Sequence, residues 1–292
     1  MTRSTKILAE SIYFGESPRW HNGRLWFSDF YAHAVKSVSL AGDVRTEVEI
    51  DDQTSGLGWM PDGSLLIVSM TKRRVLRRFS NGEVRLHADL NSVAKFHCND
   101  MVVDSVGRAY VGNFGFDLNH EVAARGLAAV LADHPPADLA LISPDGAVTV
   151  AAADLSFPNG SVITHDGRTL IVAETLVGKL SAFDIGHDGA LSNKRVWASI
   201  APRAPDGIAL DANGAVWVAN AAGAECVLVA EGGEILDVVI TDELCFACML
   251  GGEDGRTLFM MTGPAFPGET LPEKPLGKIR FAKVDVAHAG RP

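Results

Sequence analysis

The chain has 292 residues, 47% of them hydrophobic and 21% charged, with a formal net charge of −10. That balance describes a globular chain with a real core, and the acidic surplus argues against nucleic acid or an anionic membrane as the main partner. Four cysteines are too few for a disulfide framework, no apolar run approaches the ~18 residues of a membrane span, and the opening Met1–Glu10 lacks the apolar core of a signal peptide, so a cytoplasmic location is expected.

From the N-terminus, the run Ile7–Phe14 is strand-like but has no partner nearby. Glu16 then opens a unit reaching about Ile50, with strands around Leu25–Asp29, Ala34–Ser39 and Val44–Ile50 and a turn at Asn22-Gly23. The same grammar returns in the windows Ser55 to Gly63, Asn99 to Gly107, Asn159 to Gly167, Asp206 to Gly214 and Ala247 to Gly255: an apolar strand, a turn glycine, a second apolar strand. The units close near Leu90, Leu155, Ile200, Ile240 and Val286. Self-similarity at a period of roughly 40–50 residues, built of short strands, marks a β-propeller. The expected fold is all-β, a single domain over residues 1–292 with six four-stranded blades.

The last unit is short of a fourth strand, so the Ile7–Phe14 run should pair onto it, covering two open edges and locking the ring. One segment breaks the period. Phe114 to Asp138, in the third unit, is helix-compatible over Glu121–Asp133 and stopped by Pro135-Pro136, either a short lid beside the central channel or a surface elaboration without a role. Cys245 and Cys248 form a C-x-x-C without a second pair, and read as small residues of a blade strand. Asp51-Asp52, Lys72-Arg73-Arg74 and Arg77-Arg78 read as solvated strand and turn faces.

Inner strands of a propeller line its channel, so the opening residues of successive units should converge. Glu16, Asn99, Asn159 and Asp206 would bring two carboxylates and two amides to one depth. Such a hard, oxygen-rich set suits Ca²⁺, Mg²⁺ or Mn²⁺ better than structural zinc, and a divalent ion would relieve the repulsion between the carboxylates. Asn-Gly and Asp-Gly alone are also turn formers; their common register with Asn99-Asp100 is what points to a site.

Together, Gly15-Glu16-Ser17-Pro18-Arg19-Trp20, Cys98-Asn99-Asp100, Phe157-Pro158-Asn159-Gly160, Pro205-Asp206-Gly207 and Gly251–Leu258 resemble the SMP-30/gluconolactonase/luciferin-regenerating-enzyme (regucalcin-like) family. The resemblance implies a six-bladed propeller with one catalytic divalent metal held by Glu16, Asn159 and Asp206, and Asn99 beside it contacting substrate or completing the metal's shell. Calcium is the first expectation for the ion, with zinc, magnesium, manganese and iron(II) as others. Many sugar-lactonase members carry a substrate-holding arginine where this chain has His97, and a further acidic substrate contact falls at Asp117. Histidine is shorter than arginine, and Phe96, Phe114 and Phe116 lie nearby in sequence. A more apolar lactone or ester is therefore as well supported as a sugar lactone.

The implied chemistry is metal-dependent hydrolysis of a lactone, with Asp206 as the base that takes a proton from water. The motifs of competing schemes are absent: no G-x-S-x-G, no H-E-x-x-H, and no dinucleotide loop in Gly56–Pro61. Two alternatives use the same site, an organophosphate hydrolase and a non-catalytic calcium- or ligand-binding propeller. The expected partner is a small-molecule lactone or ester, with neither nucleic acid nor membrane involved; nothing in the chain points to an oligomeric state.

Overall fold

In the computed structural model, which describes residues 3–265 and 273–290, six four-stranded antiparallel sheets follow one another around a central channel. Residues 266–272, inside the span expected for blade six, lie outside the described residues. The inner strands are Gly15–His21, Thr54–Trp59, Cys98–Val103, Pro158–Ile163, Pro205–Leu210 and Leu244–Gly251, each opening a blade where the repeat placed it. Second strands such as Leu65–Ser69 and Val216–Asn220 are buried at every position, because neighbouring blades cover both faces. That explains their unbroken apolar runs. Outer strands such as Val148–Leu155 face solvent, that strand with one buried residue of its eight.

The turn glycines behave as the repeat requires. Gly63, Gly107, Gly167, Gly214 and Gly255 all adopt positive φ, between 68° and 90°, and each N–H donates back across its turn, as Gly63 does to the Met60 carbonyl at 2.9 Å. Positive φ is what only glycine adopts without cost.

Ring closure is also as expected. The strand Lys6–Ile12 pairs antiparallel with Gly277–Lys283, Lys6 opposite Phe281 and Ile12 opposite Gly277, and so supplies the outer strand of blade six. Phe14 leaves that strand for the channel, its N–H donating to Asp29 Oδ1 at 3.0 Å.

The insertion differs in detail from its expected single helix. It forms two, α1 (Leu118–Arg125) and α2 (Leu127–Ala132), broken at Gly126 with φ 82°. The basic clusters are tied to acids of their own blade, Lys72 to Asp51 at 2.9 Å and Arg77 to Asp62 at 2.5 Å. Asp52 is a correction: it is buried and accepts from Ser69 Oγ, Thr71 Oγ1 and the Lys72 N–H, an organiser of the blade rather than a solvated face. Cys245 and Cys248 are buried free thiols of the inner strand beside Cys226, where burial pushes Cys226 and Cys245 above the usual thiol range. Among the described residues no helix is long and apolar enough to cross a membrane.

Candidate active site at the hub

Every inner strand slips register at its channel end. The shift falls between Glu16 and Arg19, Thr54 and Leu57, Cys98 and Met101, Pro158 and Ser161, Pro205 and Ile208, and Cys245 and Ala247. A bulge adds a residue to one strand and turns side chains out of the pleat. Here, in five of the six blades, a residue of the bulge lines the central cavity: Glu16, Asn99, Asn159, Asp206 and Phe246. In blade six the bulge falls on Phe246, one residue before the expected opener Ala247, and it is Phe246 that lines the central cavity.

The glycines after the bulge residues are there for a different reason from turn formation. A Cβ on Gly160 would sit 2.4 Å from the Asp206 carbonyl oxygen and 2.6 Å from the Ile208 nitrogen. One on Gly207 would sit 2.6 Å from Ala247 Cα, and one on Gly56 2.6 Å from Met101 Cβ. Contacts under 3 Å are closer than any side chain tolerates, so in Asn159-Gly160 and Asp206-Gly207 glycine lets adjacent blades touch backbone to backbone at the hub. Ser17 (φ 48°) and Phe157 (φ 55°), next to Glu16 and just before Asn159, hold conformations costly for residues with a Cβ, and such strain gathers at functional sites.

Glu16, Asn99, Asn159 and Asp206 are all buried and all line one cavity of about 1120 Å³, as do His97 and Asp117. Burial holds the Glu16 carboxyl well above the usual carboxylate range, and the Asp206 and Asp100 charges push it the same way against one N–H bond from Ser17. Asp206 is raised by burial and then by Asp100, with Asn159 pulling it back through a hydrogen bond. The Asn159 amide nitrogen also donates to Thr175 Oγ1 at 3.3 Å. Asn99 Nδ2 is buried with no hydrogen-bond partner, as are the hydroxyls of Ser17 and Ser55, which puts one orphaned polar atom at the hub end of each of blades one to three. Each unpaired buried group costs about 1–3 kcal/mol, and Asn99, which lines the cavity, thereby offers it an unused donor.

Asp117 meets the cavity while also capping α1, accepting the His120 N–H at 2.8 Å. His97 stacks on Phe96 with ring centroids 4.1 Å apart.

Three features escaped sequence reasoning. Arg19, on the inner strand of blade one, crosses to blade three and donates through Nη2 to Asp100 Oδ1 at 2.8 Å and the Met101 carbonyl at 2.6 Å. Both side chains of this ion pair are 6% exposed or less. It makes Asp100 a third carboxylate of the hub, the one with its own counter-charge. Aromatic walls are the second feature: Phe14 packs on Phe30 and Phe246 at 5.3 and 4.8 Å on one side, and Phe114 stacks on Phe157 at 4.5 Å on the other. Third, Thr175 orients Asn159 and donates to the Pro205 carbonyl at 2.7 Å, coupling the two openers. Arg19 and Asp100 each lay inside a motif already singled out, but nothing local signalled that the two would pair.

A divalent cation fits this floor by donor chemistry. Two buried carboxylates, Glu16 raised by Asp206 and both raised by Asp100, with amide oxygens beside them, form a hard set wanting positive charge. Among the described residues no three His, Cys, Asp or Glu side chains gather as metal ligands; this set takes part of its oxygen from amides.

Comparison with known proteins agrees with the fold. The pentonolactonase XacC of Haloferax volcanii is 27% identical over 305 residues, covering 99% of this chain and 96% of the relative. Regucalcin of Danio rerio is 25% identical over 297 residues, covering 98% and 95%. Among solved structures, a calcium-binding protein, regucalcin, from Agrobacterium tumefaciens superposes with a TM-score of 0.80 at 19% identity, over 100% of this chain and 97% of that one. Residues 14–263, which span the hub from Phe14 through Phe246, match the SMP-30/Gluconolactonase/LRE-like region, and by that match the chain belongs to the SMP-30/gluconolactonase family.

Proposed function

We propose that the protein is a divalent-metal-dependent lactonase that opens a cyclic ester by hydrolysis. The carrying observation is the pair of buried carboxylates Glu16 and Asp206, both held above the usual carboxylate range by burial and by neighbouring negative charge, on one largely apolar cavity with the orphaned Asn99 donor. Membership of a family whose members include the pentonolactonase relative supports the same reading.

In this reading Glu16, Asn159 and Asp206 hold one cation, calcium first among the candidates. The chemistry such an ion supplies is Lewis-acid polarisation of the carbonyl and acidification of water. Asp206 takes the proton from the attacking water, its carboxylate buried and so a stronger base than a solvated one. Asn99 Nδ2 donates to a substrate oxygen, filling its vacant bond. His97, fixed against Phe96, positions the ring and returns a proton to the alkoxide as the ring C–O bond breaks. The product is the open hydroxy acid. Asp117 contacts substrate from the start of α1. We read the location as cytoplasmic, consistent with four free buried cysteines.

The test is proton release from γ- and δ-lactones, sugar-derived and apolar, by chelator-stripped protein restored with each ion in turn, with a fluorophosphate alongside. Metal-dependent ring opening is expected. Hydrolysis of the fluorophosphate alone moves the assignment to organophosphates, and tight metal binding with no turnover moves it to a binding propeller.

A further inference from the structure

The short helix α2 (Leu127–Ala132) has the sequence LAAVLA, without one polar side chain. Only Val130 is buried, and it is fully so; Leu127 and Leu131, one turn apart, are 55% and 43% exposed. Core packing therefore explains one residue of the helix and leaves the other two unaccounted for. On the adjacent blade, the one-turn helix Thr175–Val177 places Leu176 and a 40% exposed Val177 on the same cavity. Between these and the floor run Phe114 and Phe157, stacked across the two blades at 4.5 Å, Phe157 standing two residues before Asn159. An apolar track thus leads from the hub outward on the side of blades three and four.

Cavity size points the same way. At about 1120 Å³ it exceeds the roughly 300–1,000 Å³ typical of small-molecule sites, and a bare five- or six-membered lactone on the floor leaves most of it unfilled. Arg203 is the one Lys or Arg among its lining residues, and it is already paired with Glu225 at 2.8 Å. The Leu127, Leu131, Leu176 and Val177 wall offers a hydroxylated substituent nothing to bond with. Exposed apolar surface continuous with a binding floor marks what the site takes.

We propose that this track is a subsite for a hydrocarbon arm, alkyl or aryl, carried by the lactone ring, so that substrates with such an arm are preferred over polyhydroxylated ones. The proposal deepens the lactonase reading and rests on it for the ring; the arm-binding part stands on the track alone.

Two measurements separate the two. Turnover of γ-lactones with 4-alkyl arms of increasing length is expected to gain about three- to fourfold in kcat/KM per methylene, the factor that burial of each CH₂ supplies. Calorimetric binding of the matching 5-alkyl-2-pyrrolidinones, inert lactam analogues, to the metal-restored protein should show the same slope in Kd. L127S/L131S and, on the adjacent wall, V177S should flatten both slopes, with far-ultraviolet circular dichroism confirming the fold. A lactam slope without any lactone turnover removes the hydrolase reading and keeps the subsite. A flat lactam slope in wild type, or tighter use of a pentonolactone than of any alkyl lactone, overturns the subsite. So does self-association of wild type that L127S/L131S abolishes while the slopes stay unchanged, since the apolar wall then serves a second copy of the chain.

Discussion

The floor and the mouth of the cavity are built from opposite materials. At the floor, Glu16, Asp100 and Asp206 crowd together out of water, and only Asp100 has a fixed counter-charge, from Arg19. At the mouth, Leu127, Leu131 and Val177 are 40–55% exposed, the two leucines on a helix without one polar side chain. Both arrangements cost stability: buried charge at the floor, exposed hydrocarbon at the mouth. The floor's cost is rigidly held by inner strands of several blades. The mouth's sits on a two-helix insertion anchored through Val130. A propeller can carry chemistry on its invariant hub geometry and vary what it accepts through a segment that leaves the blades untouched.

The widest gap between the two regions should appear with Asp206→Asn, which keeps shape and removes the base. Turnover should fall by about 10²–10⁴-fold, while the unfolding midpoint of the metal-free protein holds or rises, since one of two repelling carboxyls is gone. Near-wild-type kcat in the metal-restored variant would end the assignment of Asp206. Glu16→Gln should show first as weaker calorimetric metal binding.

Next comes the floor's own counter-charge. Arg19→Met leaves Asp100 buried without compensation and should cost about 3–5 kcal/mol in urea unfolding. R19M/D100N should recover much of that loss; a double variant as unstable as the single one means that packing of the Arg19 stem, not the ion pair, matters.

Smaller, and opposite in sign to most carboxylates, is the effect of pH on the cation-free protein. Glu16 and Asp206 are held above their ordinary values when folded, whereas in the unfolded chain they ionise near pH 4. Between those limits the folded state binds more protons, so stability is greatest below the unfolded values and is lost as pH rises through the folded ones. Urea unfolding in chelator, from about pH 5 to 8, should lose about 1.4 kcal/mol per pH unit for each proton retained. Saturating cation, or E16Q/D206N, should remove the slope; stability rising over that window contradicts the proposed electrostatics.

Least of all should happen at the mouth. L127S/L131S is expected to change global stability by no more than about 0.5 kcal/mol. A larger loss would mean that those leucines serve the fold after all, and the contrast between the regions would shrink.

Much of this was legible in the residues. The turn glycines Gly23, Gly63, Gly107, Gly167, Gly214 and Gly255 set the blade count because positive φ is a local demand that sequence states directly. The unpaired run before Glu16 and the missing strand after blade six implied each other, and the pairing of Lys6–Ile12 with Gly277–Lys283 is the result. The openers Glu16, Asn99, Asn159 and Asp206 do share one cavity. Other features needed a neighbour before they could be read. Gly160 and Gly207 look like turn residues, yet it is the strand of the next blade that forbids a side chain there. Gly126 splits what periodicity presents as one helix. Phe246 takes the hub position that counting back from Gly255 gave to Ala247, because the bulge is offset by a residue.

By itself, then, the amino-acid order settled what is local or repeated: strand, turn, strand, six times, with oxygen-bearing residues at matching points. Tertiary structure alone decided which side chains meet, because the ring closes contacts between residues such as Arg19 and Asp100 that the chain holds 81 positions apart. It also decided that α2 presents leucines to the cavity and not to a core. Burial and charge proximity are properties of assembled neighbours, and no stretch of sequence contains its own neighbours.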